Sequence, residues 1–167
     1  MENFAIVLAA GKGTRMKTEL PKCAFPILKK PMIKYIHENI EKSIIDETTV
    51  VVGYQKEILM GILGDKVEYA FQNTQKGTGH AVMVTKDLMA KKEGTTIIML
   101  GDMPLIDYKV INKVIKYHQD KDNDLTVLTT KYSQPKGYGR IIRNEYGNIE
   151  AIVEHNDCTI DQKRITE

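Results

Sequence analysis

The chain alternates strand-length and helix-length hydrophobic patterns from its start through Thr130. Its first run, Phe4–Ala9, is apolar throughout and lacks the polar alternation of a half-exposed strand. Such runs are typical of parallel strands covered on both faces, so we expect this strand near the middle of a sheet. Further strands are predicted at Thr48–Val52, Val67–Gln72, Thr95–Leu100 and Leu125–Thr130.

Helical periodicity fills the intervals between these strands. Pro31 opens one amphipathic helix, Gly64 ends a second, Gly77 precedes a third and Asp107 is the predicted N-cap of a fourth. The inward faces of these helices are predicted to be Ile33, Ile36, His37, Ile40 and Ile44; Ile58, Leu59, Ile62 and Leu63; Ala81, Val84 and Leu88; and Val110, Ile111, Val114 and Ile115.

The pattern changes after Tyr132, where two short strand candidates follow each other without a helix. Arg140–Arg143 and Ile149–Glu154 are predicted to pair as an antiparallel hairpin around Glu145–Asn148. We therefore expect an α/β fold: a Rossmann-like, mostly parallel sheet with helices on both faces and a late antiparallel hairpin. In such sheets ligands bind outside the carboxyl ends of the strands, so strand-end residues are the candidates for function.

The loop after the first strand has the chemistry of an anion site. Gly11 and Gly13 allow backbone N–H groups to approach an anion, and Arg15 and Lys22 are placed to bind phosphate oxygens. The loop lacks the Walker pattern GxxxxGK[ST], and Met16 stands where a dinucleotide fingerprint needs its third glycine. The loop therefore predicts a triphosphate or pyrophosphate site outside the P-loop ATPase and NAD enzyme classes; the alternative is a solvated basic turn.

A polar, glycine-rich turn follows the third strand. The carboxamide of Gln72 offers a donor and an acceptor to a nucleobase edge, and Gly77 permits a base or ribose to lie against the backbone. The alternative is a simple turn with a helix N-cap at Thr78. His80 is interpreted as a locally packed residue, because the local sequence provides no carboxylate to orient it as a general base.

Two further strand ends have carboxylates. Asp102 follows a strand that we expect to be central and buried, and one carboxylate there can hold Mg²⁺ together with waters and substrate phosphates. An Asx turn before Pro104 is the alternative. In the hairpin, Gly139 and Glu154 can bind a second substrate, with Glu154 accepting sugar hydroxyls; a hairpin with one exposed charge is the alternative.

Composition and charge limit the domain number, the compartment and the classes of partner that we expect for this chain. The 167 residues suit a single domain, and the net charge of +2 is small and scattered. No basic block with interleaved aromatics favours nucleic acid, no apolar run reaches membrane-spanning length, and the first residues lack a secretory pattern. Cys23 and Cys158 have no metal-type spacing, so we expect free thiols in a reducing cytoplasm.

Six strings occur in the order and spacing of one family. They are LAAGKGTRM from Leu8, LPK from Leu20, QKGTGHAV from Gln75, GDMPLI from Gly101, GYGRIIR from Gly137 and IVEH from Ile152. Together they resemble the sugar-phosphate nucleotidyltransferases, most closely the uridylyltransferase domain of the bacterial bifunctional enzymes that make UDP-N-acetylglucosamine. The resemblance covers essentially the whole chain. It implies transfer of UMP from UTP to N-acetylglucosamine 1-phosphate with release of pyrophosphate, a step in cell-wall precursor synthesis.

The resemblance also implies a role for each matching residue. The implied ligands are Leu8, Ala9, Ala10 and Gly11 for the uridine; Gln72, Gly77 and Thr78 for the uracil; Arg15 and Lys22, as catalytic residues, for the triphosphate; Asp102 for Mg²⁺; and Gly139 and Glu154 for the amino-sugar phosphate. A sugar phosphate is already anionic at neutral pH, so the implied reaction needs no general base and depends on positioning and charge neutralisation.

The chain also departs from the family pattern. The resemblance implies an asparagine just past Glu167 and a later asparagine in the metal site, and both are absent, as is the β-helix acetyltransferase domain. Residues 1–167 are therefore expected to form one nucleotidyltransferase domain, incomplete at its C-terminal end.

Open alternatives for the function are another sugar or alditol phosphate as substrate, cytosine as the base, and a UTP-binding fragment without turnover. A Rossmann dehydrogenase is disfavoured, since no acidic residue ends the second strand at Val52–Gly53. The oligomeric state stays open.

Overall fold

A parallel four-stranded sheet forms the centre of the larger of two compact units, Met1–Asp124 and Leu125–Glu167. The computed structural model describes residues 1–167 apart from the side chain of Arg15. In chain order the elements are β1 (Glu2–Leu8), β2 (Pro26–Ile27), β3 (Lys30–Pro31), α1 (Met32–Glu41), β4 (Glu47–Val52), α2 (Lys56–Leu63), β5 (Glu68–Phe71), α3 (Thr78–Met83), α4 (Lys86–Met89), β6 (Gly94–Leu100), α5 (Tyr108–Asp120), β7 (Arg140–Arg143) and β8 (Ile149–Val153). Short 3-10 helices cover Thr14–Met16, Lys22–Ala24, Gly64–Lys66 and Gln162–Arg164.

Strand β1 lies inside the sheet, as its apolar sequence predicts. The strands follow the order β5-β4-β1-β6, and all three pairings are parallel. Phe4 of β1 pairs with Glu47 of β4 on one side and with Thr96 of β6 on the other. The carboxyl ends of the four strands therefore meet at one edge of the sheet.

Helices cover both faces of the sheet, as expected for the α/β fold. On one face Val7 of β1 belongs to the same buried cluster as Ile36 of α1 and Ile115 of α5. On the opposite face Ile6 of β1 belongs to a second cluster with Ala81 of α3. Adjacent residues of β1 enter different cores because side chains alternate across a strand.

Three helix boundaries follow their predicted signals. α1 begins directly after Pro31, and α2 ends directly before its C-cap residue Gly64, whose φ of 65° suits a helix C-terminus. Asp107 is the N-cap of α5, because its side chain accepts a hydrogen bond from the backbone N–H of Val110 at 2.9 Å. None of the helices that the structure describes combines the length and apolar character needed to cross a membrane.

The helix predicted after Gly77 is instead two short helices, α3 and α4. Thr85 lies between them, and its hydroxyl donates a hydrogen bond to the carbonyl of Val82 at 2.8 Å. A threonine hydroxyl that bonds a nearby carbonyl competes with regular helix geometry, which accounts for the break. The inward residues Ala81, Val84 and Leu88 still pack in one cluster, as predicted.

Strand β6 is at the edge of the sheet, so the prediction that it is central and buried is wrong. Among the strands described, its partner is β1. Met99 is buried, whereas Ile98 and Leu100 on the other face are 51% and 42% exposed. The core on that face contains Ile6, Val51 and residues of α3 and α4, which do not extend over β6.

The strand predicted at Leu125–Thr130 does not form. Leu125 and Leu128 are exposed, and no strand hydrogen bonding is assigned in this described segment. The Thr129 hydroxyl instead donates to a carboxylate oxygen of Glu167 at 2.7 Å. A β-branched, apolar sequence forms a strand only when another strand pairs with it, and here the side-chain pattern alone was misleading.

The late antiparallel hairpin is confirmed in the smaller unit. β7 and β8 pair with Arg140 opposite Val153, and the register shifts between Ile142 and Arg143. The connecting turn is closed by a hydrogen bond from the N–H of Gly147 to the carbonyl of Asn144 at 2.9 Å.

Candidate active site

Backbone hydrogen bonds connect the segments that leave the carboxyl ends of the sheet. The connections, donor first, are Ala9 N–H to Val51 at 2.9 Å, Gln72 N–H to Val52 at 2.8 Å, Tyr54 N–H to Ala10 at 3.2 Å and Gly101 N–H to Leu8 at 2.9 Å. The loops that contain the predicted uridine, uracil and metal residues therefore converge at one edge, where an α/β sheet binds its ligands.

The loop after β1 contains the predicted uridine-binding backbone. Ala9 and Ala10 are buried, Leu8 is half-buried and Gly11 is exposed. Farther along, Gly13 has a φ of 69°, and a Cβ atom built there would lie 2.6 Å from the Cβ of Lys22. Only glycine fits this left-handed, crowded position, so Gly13 brings the loop directly against Lys22.

Of the two predicted catalytic cations, Lys22 is described and the side chain of Arg15 lies outside the described residues. Lys22 begins the 3-10 helix Lys22–Ala24, and its ammonium forms an ion pair with the carboxylate of Asp102. Both side chains are partly open to solvent, with 37% of Lys22 and 26% of Asp102 exposed. From the sequence, Lys22 is predicted to bind the triphosphate and Asp102 to bind Mg²⁺, whereas in the structure the two side chains contact each other.

The turn that holds Asp102 is tightly packed. A Cβ atom on Gly101 would lie 2.9 Å from the carbonyl oxygen of Leu8 and 2.9 Å from Sγ of Cys23. Cys23 is a free, buried cysteine, and burial, with a smaller contribution from Asp102, raises the pKa of its thiol to about 12. Cys23 is therefore a neutral packing residue against the turn and is unsuited to act as a nucleophile.

Asp102 has the donor chemistry that Mg²⁺ uses when phosphates supply most of its ligands. Among the described residues, no group of three or more His, Cys, Asp and Glu side chains could hold a metal ion. A dedicated protein cage is thus lacking there, but Mg²⁺ commonly binds through one or two carboxylates plus substrate phosphates and water. The partly exposed carboxylate of Asp102 fits that second arrangement.

Gln72 organises the turn before α3. It is buried, and its Nε2 lies 3.1 Å from the carbonyl oxygen of Gly77 and 3.0 Å from Nδ1 of His80. Gly77, with a φ of 95°, is the N-cap residue, and the exposed Thr78 is the first residue of the helix. The N-cap expected at Thr78 is therefore one residue earlier, because the left-handed turn requires glycine. His80 packs locally, as interpreted from the sequence, with an amide as its partner.

Gln75 is a candidate site residue that sequence reasoning missed. Its Nε2 donates a hydrogen bond to the carbonyl of Ala10 at 2.8 Å, across 65 residues of sequence. The bond connects the turn after β5 to the loop after β1. The only signal was the position of Gln75 at the start of the string QKGTGHAV.

The two predicted sugar-phosphate residues lie together in the smaller unit. Arg140 pairs with Val153, so the preceding Gly139 faces the following Glu154 across the hairpin. A Cβ atom on Gly139 would lie 3.4 Å from the carbonyl oxygen of Val153, and Glu154 is exposed. Arg140 is fully buried and donates to the carbonyls of Tyr138 and Lys163, which anchors this end of the hairpin.

Curated proteins are similar to this chain in sequence. The proteins named bifunctional protein GlmU from Acholeplasma laidlawii and Enterococcus faecalis are 53% and 43% identical over 167 and 168 residues, respectively. Each match covers 100% of this chain and 36% or 37% of the relative. The chain therefore spans about a third of the length of the curated relatives that it matches.

Solved structures share the fold. HddC from Yersinia pseudotuberculosis matches with a TM-score of 0.70 at 24% identity, over 92% of this chain and 69% of that chain. A nucleotidyl transferase from Methanothermobacter thermautotroptrophicus matches with a TM-score of 0.60 at 17% identity, over 70% and 57%. The sequence profile of nucleotidyl transferases matches residues 4–156, and the chain therefore belongs to the nucleotidyl transferase family.

Proposed function

We propose that this chain transfers UMP from UTP to N-acetylglucosamine 1-phosphate, forming UDP-N-acetylglucosamine and pyrophosphate in the cytoplasm. The observation that supports this most directly is the glycine loop after β1, packed through Gly13 against Lys22, whose ammonium pairs with Asp102. The arrangement combines exposed backbone, a cation and a carboxylate at the ligand-binding edge of the sheet. The six family strings support uridine and the amino sugar as the specific substrates.

The uridine would lie between two loops. The backbone of Leu8–Gly11 would contact the nucleoside, and Gln72, Gly77 and Thr78 would contact the uracil. The bond from Gln75 to Ala10 joins these loops directly. Such preorganisation lowers the entropic cost of ordering the site around a nucleotide.

The triphosphate would be bound by Arg15 and Lys22. The sugar phosphate, an anion at neutral pH, would attack the α-phosphorus in line and expel pyrophosphate without a general base. Lys22 would neutralise charge that develops on the phosphate oxygens, and the preorganised 3-10 helix would hold its backbone during the reaction. Mg²⁺, held by Asp102, would supply Lewis-acid neutralisation of the phosphates when bound.

The second substrate would contact Gly139 and Glu154. Glu154 is an exposed acceptor that suits sugar hydroxyls, and a Cβ atom at Gly139 would be in van der Waals contact with the backbone of Val153. The cytoplasmic assignment is supported by Cys23 and Cys158, which are both free and buried.

Pyrophosphate release measures the proposed reaction. The chain is incubated with UTP or CTP and Mg²⁺, and with N-acetylglucosamine 1-phosphate, glucose 1-phosphate or an alditol phosphate. The proposal predicts the highest kcat/KM for UTP with N-acetylglucosamine 1-phosphate. Faster release with another pair would reassign the substrates, and saturable UTP binding without release would identify a nucleotide-binding chain that lacks turnover.

A further inference from the structure

The ion pair between Lys22 and Asp102 joins the residue proposed for the phosphates to the residue proposed for the metal. In this pair the ammonium of Lys22 occupies the carboxylate that would bind the metal. The carboxylate of Asp102 likewise occupies the ammonium that would bind the phosphates. A cation that already neutralises Asp102 competes with any metal ion for the same carboxylate. The pair therefore bears on the order in which metal and nucleotide bind.

The backbones that carry the two side chains are fixed, so any exchange of partners occurs at the side chains. Lys22 lies in a 3-10 helix whose first turn is closed by a hydrogen bond from Ala24 N–H to the carbonyl of Pro21 at 2.9 Å. The turn before Asp102 is held by the 2.9 Å bond between Gly101 and Leu8. Lys22 has a flexible four-carbon stem, which lets its ammonium move while its backbone stays in place.

Solvent reaches both charged groups. About a third of the Lys22 side chain and a quarter of the Asp102 side chain are exposed. The ammonium and carboxylate can therefore separate and meet new partners without opening the core. Two cations of total charge +3 placed around one carboxylate repel each other, so a metal ion binds poorly while Lys22 remains there.

We propose that Lys22 is a placeholder cation on Asp102, so that divalent metal binds tightly only together with nucleotide phosphates that draw Lys22 away. This inference rests on the proposed function, because it takes Asp102 as the metal ligand and Lys22 as a phosphate ligand. The phosphates provide the ammonium with a new anionic partner and expose the carboxylate to the metal. Binding of metal and of nucleotide is thereby coupled through one pair of side chains.

Metal affinity in the absence of nucleotide tests this coupling. Mn²⁺, a spectroscopic probe for Mg²⁺ sites, is titrated into nucleotide-free protein and followed by electron paramagnetic resonance. Lys22→Met is expected to bind Mn²⁺ about 2- to 5-fold more tightly than the wild type, the scale expected for a partly exposed ion pair. Lys113→Met, which removes an exposed charge from α5, is the matched control for net charge and should leave the affinity unchanged.

A double variant identifies the carboxylate involved. Lys22→Met combined with Asp102→Asn is expected to lose the gain in Mn²⁺ affinity. An equal affinity in Lys22→Met and the wild type, or a gain that survives Asp102→Asn, would overturn the proposal. Lys22→Gln provides a second neutral variant if Lys22→Met is poorly folded by circular dichroism.

The failure of the proposed function gives a different result. UTP binding to the wild type in the presence of Mg²⁺ tests the nucleotide site. Absence of that binding in well-folded protein would refute the nucleotide site, whereas the Mn²⁺ titrations without nucleotide would still report whether Lys22 blocks Asp102.

Discussion

Nε2 of Gln72 lies 3.0 Å from Nδ1 of His80 and also donates to the carbonyl of Gly77. The buried amide thus fixes the turn that is proposed to hold the uracil. The imidazole nitrogen that accepts this bond is unavailable as a proton acceptor for substrate. Gln72 therefore has a structural role that any nucleobase contact must share.

Gln72→Leu tests this double role. The substitution leaves the Gly77 carbonyl and His80 Nδ1 without a donor, so the free energy of unfolding should fall by about 1–3 kcal/mol. UTP affinity should fall about 10-fold or more, since an unfixed turn must be ordered on binding. Urea unfolding measures the change in stability, and calorimetric titration measures the change in UTP affinity. The exposed neighbour variant Asn73→Leu is the control, and an equal loss of stability there would contradict the role of the amide.

Gly101→Ala tests the packing of the turn before Asp102. The new methyl group would lie 2.9 Å from both the Leu8 carbonyl oxygen and Sγ of Cys23. Crowding against backbone is not relieved by a side-chain rotation, so we expect a loss of about 1–3 kcal/mol in unfolding free energy. Gly61→Ala, in α2 with no atom within 4 Å of the added carbon, should instead be neutral or stabilise by up to about 1 kcal/mol. Equal effects at the two glycines would refute the packing argument.

Lys22→Ala tests the catalytic role of the ammonium. Turnover, measured as pyrophosphate release, should fall by about 10²-fold or more, the scale of losing one preorganised charge donor. The KM for the sugar phosphate should change far less than kcat. Lys113→Ala, on the exposed face of α5, is the matched lysine control. An unchanged rate in Lys22→Ala would remove Lys22 from the mechanism.

His37 gives the fold a defined acid sensitivity. Burial lowers the pKa of His37 below its ordinary value of 6.5, and its Nε2 lies 3.5 Å from the carboxylate of Glu41. The unfolded chain therefore binds a proton at His37 more readily than the folded chain does. The contribution of neutral His37 to the free energy of unfolding is fully present above pH 6.5 and declines as the pH falls below that value.

A His37→Leu variant should flatten this pH dependence. The slope of unfolding free energy between about pH 7.5 and pH 5 should decrease relative to the wild type. The hydrogen bond from Lys66 lowers the pKa of Glu41, and the Glu41 carboxylate partly offsets the effect of burial on the pKa of His37. Glu41→Gln should therefore lower the pKa of His37 further and make the loss of stability with falling pH steeper. The same slope in His37→Leu and the wild type would exclude His37 as the source.

The four strands of the parallel sheet, the buried position of β1 and the Asp107 cap could all be predicted, because periodicity and capping are local properties. The position of β6 at a sheet edge could not, since Ile98 and Leu100 have the same apolar character as residues of a covered strand. Likewise the β-branched Leu125–Thr130 segment lacks a strand partner, and partners are fixed by the tertiary fold.

The sequence provides the candidate site as single residues and not as a network. Family strings contain Lys22 and Asp102, and the polar turn after the third predicted strand indicated Gln72, whereas the partners of these residues depend on contacts between distant segments. The pairing of Lys22 with Asp102 spans 80 residues, and the bond from Gln75 to Ala10 spans 65. No local pattern encodes such contacts, and it is through them that we propose binding of metal, phosphate and base to be interdependent.

Calorimetric titration of the chain with UTP in the presence of Mg²⁺ tests the central claim most directly. The account predicts saturable binding of one UTP per chain, weakened by Gln72→Leu and by Asp102→Asn. A well-folded protein that shows no saturable UTP binding would contradict the assignment of the loop from Leu8 to Lys22 as a nucleotide site.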